Sequence, residues 1–312
     1  MNKIDLGKVG LMASEISLGI MRISGQGPKE AAAIVQTAVD NGIDFFDHAD
    51  IYGGGRSEEI FAQACQDAGI KRESIIIQTK CGIRNKQPDF TRYDFSHEHI
   101  VASVEGSLKR LKTEYVDVLL LHRPDTLMEP EVVAEAFNQL YFEGKVRYFG
   151  VSNFNPFQVE FLQKSVNHKL IANQLQFGLG HTGMLDQGFF VNRREGMGYD
   201  RDGGILEYSR MRDMTIQAWS PYQSSKQEPR PVFLNNPDFP ELNEAINQLA
   251  EKYNSNPMAI AAAWILTHPA QMQVILGSMT PSRIADTAKA SDIRLTREEW
   301  YLLYHKAGNW LP

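Results

Sequence analysis

Cysteine is nearly absent: the 312 residues contain two, Cys65 and Cys81. That excludes a disulfide framework and a cysteine-based metal site. Long apolar runs are missing as well. Nothing approaches the roughly 18 residues of a membrane-spanning helix, and Met1-Asn2-Lys3-Ile4-Asp5 offers no apolar signal core. Positive charge is not in excess: 32 Lys and Arg stand against 38 Asp and Glu, a net charge of −6. The balance argues against a general nucleic-acid binder. A metal hydrolase is set aside for want of the His-x-His and carboxylate set such sites need. These absences lead to the expectation of a cytoplasmic protein with neither nucleic-acid nor membrane partners.

A core is well supplied, with 43% hydrophobic residues and no low-complexity linker, so residues 1–312 are expected to form one domain. Residues 3 to 12 read as a hairpin, and 16 to 21 as the first core strand. Strands then alternate with amphipathic segments. Strands are expected near 44–47, 74–80, 116–122, 146–152, 172–177, 215–220 and 273–276. Helices are expected near 28–42, 57–68, 96–111, 130–142, 156–165, 205–212, 238–253, 257–267 and 282–290. Such alternation implies a parallel sheet, and eight units in this length suggest a (β/α)₈ barrel. A doubly wound open sheet fits less well, because the polar residues singled out below recur at the carboxyl ends of successive strands, which a barrel gathers around one mouth.

The stretch Asp44-Phe45-Phe46-Asp47-His48-Ala49-Asp50-Ile51-Tyr52-Gly53-Gly54-Gly55 carries the chemistry. It starts as a buried strand and ends in a glycine turn. A phenol has a pKa of roughly 10, too high for proton transfer near neutrality, so Tyr52 needs a nearby cation, and the cation needs a carboxylate. Lys80 and His122 close two later strands, and Asp47 closes the strand at 44–47.

Asp47-x-Ala49-x-x-Tyr52-Gly53, Lys80 and Leu120-Leu121-His122-Arg123-Pro124-Asp125 resemble the aldo-keto reductases, in their branch of bacterial oxidoreductases. The resemblance continues through Gly144 to Phe154, Asn173-Gln174 and Ala218-Trp219-Ser220-Pro221, covering nearly the whole chain. It implies a single barrel, NADP(H) as cofactor, and direct hydride transfer to the carbonyl carbon of an aldehyde or ketone. Tyr52 would be the proton donor, supported by Lys80, Asp47 and His122. Ser152, Asn153 and Gln174 match positions that hold the nicotinamide carboxamide. Trp219, followed by Ser220, matches the aromatic ring against the nicotinamide face. Gly277, Ser278, Arg283 and Asp286 match the segment around the adenosine 2′-phosphate, although many members have Lys at 277 and Asn at 287. NADPH is expected to be preferred to NADH, with Arg283 carrying much of the preference. The alternative is a cofactor-sensing regulatory protein of the same fold, as in potassium-channel auxiliary subunits. No extra N-terminal segment for docking a partner is seen, which favours the enzyme.

Gly178-Leu179-Gly180-His181-Thr182-Gly183 matches the spacing G-x-G-x-x-G. With no helical face before Ile205, residues 178–204 are read as a flexible loop, either a lid over the mouth or a surface excursion. The loop 222–237 resembles a cofactor-covering segment. Its Lys226 and Arg230 are read either as pyrophosphate contacts or as solvated charges. Cys81 reads as a small packed hydrophobe, and His48 either as structural or as lining the site. The short tail after Trp300 points to an open substrate pocket.

Overall fold

The computed structural model describes residues 1–85, 90–194, 196, 199–225 and 231–312. In chain order, β1 (Lys3–Leu6) and β2 (Leu11–Ser14) form the antiparallel hairpin, followed by β3 (Ile16–Gly19), α1 (Pro28–Asp40), β4 (Phe45–Asp47), α2 (Arg56–Asp67) and β5 (Ile76–Cys81). A second small hairpin, β6 (Ile83–Arg84) and β7 (Arg92–Tyr93), precedes α3 (His97–Leu111) and β8 (Val116–Leu121). Next come α4 (Pro130–Phe142), β9 (Val146–Ser152), α5 (Pro156–Gln163), β10 (Leu170–Gln176), α6 (Gly183–Phe189), α7 (Ile205–Met211) and β11 (Thr215–Trp219). The chain ends with α8 (Pro240–Lys252), α9 (Pro257–Thr267), β12 (Gln273–Leu276), α10 (Pro281–Ala288) and α11 (Arg297–Lys306). Strands β3, β4, β5, β8, β9, β10, β11 and β12 are parallel neighbours in a closed barrel, with β12 returning to β3. The expected (β/α)₈ barrel is therefore the fold.

Local chemistry explains most boundaries. Ser96 caps α3 by accepting the His99 N–H, and Asn155 and Gln158 form a reciprocal capping box on α5. Proline occupies the first turn of α1, α4, α8, α9 and α10, where its missing N–H costs nothing. The β1–β2 hairpin covers the amino-terminal end of the barrel. Leu6 and Ala13 pack with Phe45, Ile76, Val118, Leu120, Ile171 and Ala172. Gly7 turns there with φ 62°, and a Cβ on it would stand 2.5 Å from the Ile171 Cβ, so only glycine fits.

The α6 helix corrects the expectation of an unbroken loop from 178 to 204. Its glycines, Gly183 and Gly188, hide it from propensity, and its contacts hold it: Met184 and Leu185 are buried, and Asp186 accepts from Thr182 and Tyr304. The α11 helix was also unforeseen, although Thr296 and Glu299 form its capping box. Trp300 of α11 stacks on Trp264 with ring centroids 4.8 Å apart. No helix among the described residues is long and apolar enough to cross a membrane.

Candidate active site

Strand alternation decides which side chains enter the barrel. On β5, Ile76 belongs to the inner cluster and Ile77 to the outer one, so Gln78 and Lys80 follow inward while Thr79 and Cys81 turn towards the helices. On β8, Val118 and Leu120 point inward, and His122 continues their row. On β4, Phe45 is inside and Phe46 outside, so Asp47 is inside. His48 faces outward and packs edge-on against Phe61 of α2 with ring centroids 4.5 Å apart. Its burial, helped by Lys80 and Arg72, lowers its pKa to about 3, in keeping with a structural residue. Cys81 is buried, and burial pushes its thiol well above the ordinary range, so it packs as a hydrophobe.

Beyond Asp47 the chain turns back through a 3₁₀ turn, Tyr52–Gly55, with Gly53, Gly54 and Gly55 at φ 59°, 67° and 94°. A Cβ on Gly53 would lie 2.8 Å from the Ser24 Cβ. The turn lays Tyr52 over Lys80. Lys80 Nζ donates to Asp47 Oδ2 at 2.8 Å, to the His48 carbonyl at 2.6 Å and to Tyr52 Oη at 3.2 Å. It has no exposed surface. Burial alone would discharge the amine, but Asp47 and Tyr52 hold its pKa above the ordinary lysine value. The His122 ring meets the Tyr52 ring edge-on at 5.9 Å. Burial, then Lys80 and Arg123, keep the imidazole pKa well below its usual range, so it is neutral near neutrality.

The Tyr52 hydroxyl departs from the simple expectation of a lowered pKa. Burial raises it, Lys80 opposes the rise, and the net direction is upward. The resting phenol is therefore protonated, with the Lys80 ammonium 3.2 Å from its oxygen. Asp50, half-buried two residues before Tyr52, has its carboxyl pushed up to about 7 by desolvation and then by the like charge of Glu58.

The sequence reading missed a ladder of amides beneath this set. Asp47 Oδ1 accepts from Gln78 Nε2 at 2.6 Å and from Gln174 Nε2 at 2.9 Å. Gln78 donates on to Gln217 Oε1 at 2.9 Å, Gln217 to Gln273 Oε1 at 2.8 Å, and Gln273 to the Ser14 carbonyl at 2.8 Å. The signal was Gln78, Gln174, Gln217 and Gln273 at inward positions of β5, β10, β11 and β12. At the rim, Ser152 Oγ donates to the Gln174 carbonyl, Asn153 Nδ2 to Ser152 Oγ at 2.8 Å, and Trp219 Nε1 to Asn153 Oδ1 at 3.2 Å.

The family model described as "Aldo/keto reductase family" matches residues 15–306. The chain belongs to the aldo-keto reductases. Over 97% of its length and 97% of the relative's, it is 34% identical to the uncharacterized oxidoreductase YcsN of Bacillus subtilis. It is 32% identical to a 6-dehydroglucose reductase of Agrobacterium fabrum, covering 94% of each chain. An aldo-keto reductase from Klebsiella pneumoniae, solved in complex with NADPH, superposes with a TM-score of 0.75 at 22% identity, covering 97% of this chain and 93% of that one. Membership makes the protein an NAD(P)H-dependent oxidoreductase, with NADP(H) the family's cofactor and small carbonyl compounds its substrates.

In this aldo-keto reductase a cavity of about 870 Å³ opens at the carboxyl ends of the strands. Tyr52, His122, Ser152, Asn153, Gln174, Trp219 and Ser220 line it, and so do Gly277, Ser278 and Arg283. The Tyr52 and His122 corner and an exposed cationic corner thus share one space, within the usual volume of a ligand pocket. Arg22 and Arg123 also line it and were not foreseen. Asp286 does not; its carboxylate meets Lys289 Nζ at 3.2 Å and Asn256 Nδ2 at 3.4 Å. Lys226 and Arg230 lie outside the described residues.

Gly178 and Gly180 serve a different end from phosphate binding. A Cβ on Gly178 would stand 2.2 Å from the Pro221 carbonyl, and one on Gly180 2.7 Å from the Gln223 carbonyl. The Ser225 N–H donates to the Gly180 carbonyl at 3.0 Å. These glycines let two loop backbones pack together, leaving no cradle for an anion. His97-Glu98-His99, a His-x-His in sequence, opens α3, and no group of His, Cys, Asp or Glu among the described residues could hold a metal. The tail is absent from the cavity lining; Trp310 packs edge-on against Phe190 at 4.7 Å.

Proposed function

We propose that the protein reduces an aldehyde or ketone to an alcohol, with NADPH preferred as the hydride source and Tyr52 as the proton donor. The observation that carries this reading is Lys80 Nζ, buried and shared among Asp47, the His48 carbonyl and Tyr52 Oη. Bound NADPH would supply the hydride to the carbonyl carbon. Tyr52, protonated at rest, hydrogen-bonds the carbonyl oxygen and gives up its proton as negative charge grows there. Lys80, charged and fixed, stabilises the tyrosinate left behind. Asp47 keeps Lys80 charged, and Gln78 and Gln174 keep Asp47 in place. Neutral His122 orients the carbonyl by hydrogen bonding. Ser152, Asn153 and Gln174 supply the donors and acceptors an amide ring substituent requires, and Trp219 offers an aromatic face for stacking. Arg283, with Ser278, is assigned to the 2′-phosphate, where a guanidinium can fork onto two oxygens.

The regulatory alternative is not favoured: relatives 31–34% identical over nearly the whole chain are named as oxidoreductases or reductases, whereas those named as potassium-channel β subunits over a similar length are 28–29% identical. The test is NADPH oxidation with a panel of aldehydes and ketones. It should begin with 6-dehydro sugars, because the Agrobacterium relative is named for one. Replacing Tyr52 by Phe should lower carbonyl reduction by roughly 10²- to 10⁴-fold, the usual contribution of a positioned acid, while NADPH binding persists. Unchanged turnover in the Phe variant would remove Tyr52 from the mechanism, and a parent inert towards the whole panel would return the regulatory reading.

A further inference from the structure

We propose that Arg22 is a phosphate-binding residue of the dinucleotide site, a cation delivered from the first barrel strand to a corner where residue 277 has no side chain. The inference rests on the reading that this cavity takes NADP(H). Its origin is the seam that closes the barrel. β12 pairs with β3, Leu276 opposite Leu18, so the segments leaving these two strands emerge side by side. Arg22 Nη1 crosses the seam and donates to the Gly277 carbonyl at 2.9 Å. A Cβ on residue 277 would stand 3.0 Å from that same nitrogen. A side chain at 277 would press the guanidinium aside by a few tenths of an ångström, and in this chain the arginine meets a glycine there.

Three further observations separate Arg22 from an ordinary surface arginine. Its backbone is fixed: the Ile20 N–H donates to the Asp47 carbonyl at 2.9 Å, Ile23 is fully buried, and Ser57 Oγ donates to the Met21 carbonyl at 3.2 Å. Its guanidinium lines the cavity together with Arg283. Among the described residues, no carboxylate lies within ion-pair distance of either one. With Arg123, three arginines without an ion pair among the described residues face one cavity in a chain whose net charge is −6. The Gly277 bond uses only part of the guanidinium fork, and the donors that remain suit phosphate oxygens.

Affinities for NADPH and NADH, measured by calorimetric titration, test the assignment in the parent, Arg22→Gln, Arg22→Ala and Arg22→Ala/Gly277→Lys. Thermal melts of each variant check that it is folded. Arg22→Gln keeps a donor for Gly277 but loses the charge. Both single variants should bind NADPH roughly tenfold more weakly or worse, the scale of a charged hydrogen bond. Lysine at 277 should recover much of that loss by rising into the vacated space. A loss confined to NADPH assigns Arg22 to the 2′-phosphate, and a loss shared by NADH assigns it to the pyrophosphate; each supports the proposal. Parental affinity for both dinucleotides in folded Arg22→Ala and Arg22→Gln overturns it. A parent that binds neither dinucleotide overturns the cofactor reading itself, a result visible before any variant is made.

Discussion

Lys80 and Arg283 are both cations of the same site, and they are set in opposite ways. Lys80 has no exposed surface and its ammonium donates to three oxygens of its own chain. Arg283 is exposed on the first turn of α10, lines the cavity, and has no carboxylate of the described residues within ion-pair distance. The first charge is neutralised inside the fold; the second faces the cavity with no carboxylate of its own among the described residues, as the proposed 2′-phosphate contact requires. Burial also changes their sensitivity to solvent. A buried pair is little screened by salt, whereas an exposed cation is screened over a Debye length of about 8 Å at physiological ionic strength.

The largest effect should come from breaking the buried side. Lys80→Met leaves Asp47 inside the barrel without its cation, and losing one partner of a buried pair costs about 3–5 kcal/mol. Urea unfolding should show that loss together with collapse of carbonyl reduction. The double variant Asp47→Asn/Lys80→Met, which removes both charges, should recover part of the stability but none of the activity. If the single variant is as stable as the parent, Lys80 is not neutralised by Asp47 in the way the geometry implies.

Asp50 sharpens the contrast, because on this half-buried carboxyl desolvation and the like charge of Glu58 outweigh the help of Ser103 and Arg110. Its carboxyl is raised from 3.8 to about 7. The folded state therefore holds the proton more tightly than the unfolded chain. By linkage, stability from this group falls as pH rises from about 4 to about 7, and the full cost stands above that window. Such a rise corresponds to at most about 4 kcal/mol. Asp50→Asn should be more stable than the parent near pH 8, with the difference closing below pH 4. Parallel stability curves across that range would count against a protonated Asp50.

The smallest effect belongs to the exposed side. Arg283→Ala should weaken NADPH roughly tenfold, the lower range for a charged hydrogen bond, and leave NADH unchanged and the melting temperature within a degree or two of the parent's. The NADPH penalty should shrink in high salt. Equal weakening of both dinucleotides would show that Arg283 does not read the 2′-phosphate.

The sequence by itself determined the elements and the inward row of the chemistry. Alternation with period two sets Asp47, Lys80 and His122 on the inner face of their strands, and the caps at Ser96, Asn155 and the prolines are fixed by residues at most a turn away. The capping box that opens α11 was equally local and was overlooked. Only the tertiary structure decided what those side chains meet. Arg22 and Gly277 are 255 residues apart, and Gln78 and Gln217 are 139 apart. Nothing in either neighbourhood marks the partner, because such pairs exist only after the last strand closes on the first. The same holds for α6, whose glycines disfavour a helix that Tyr304 and a buried apolar face stabilise. It holds too for Tyr52, whose pKa direction depends on how deeply the finished barrel buries it, a quantity set by packing and absent from any local pattern.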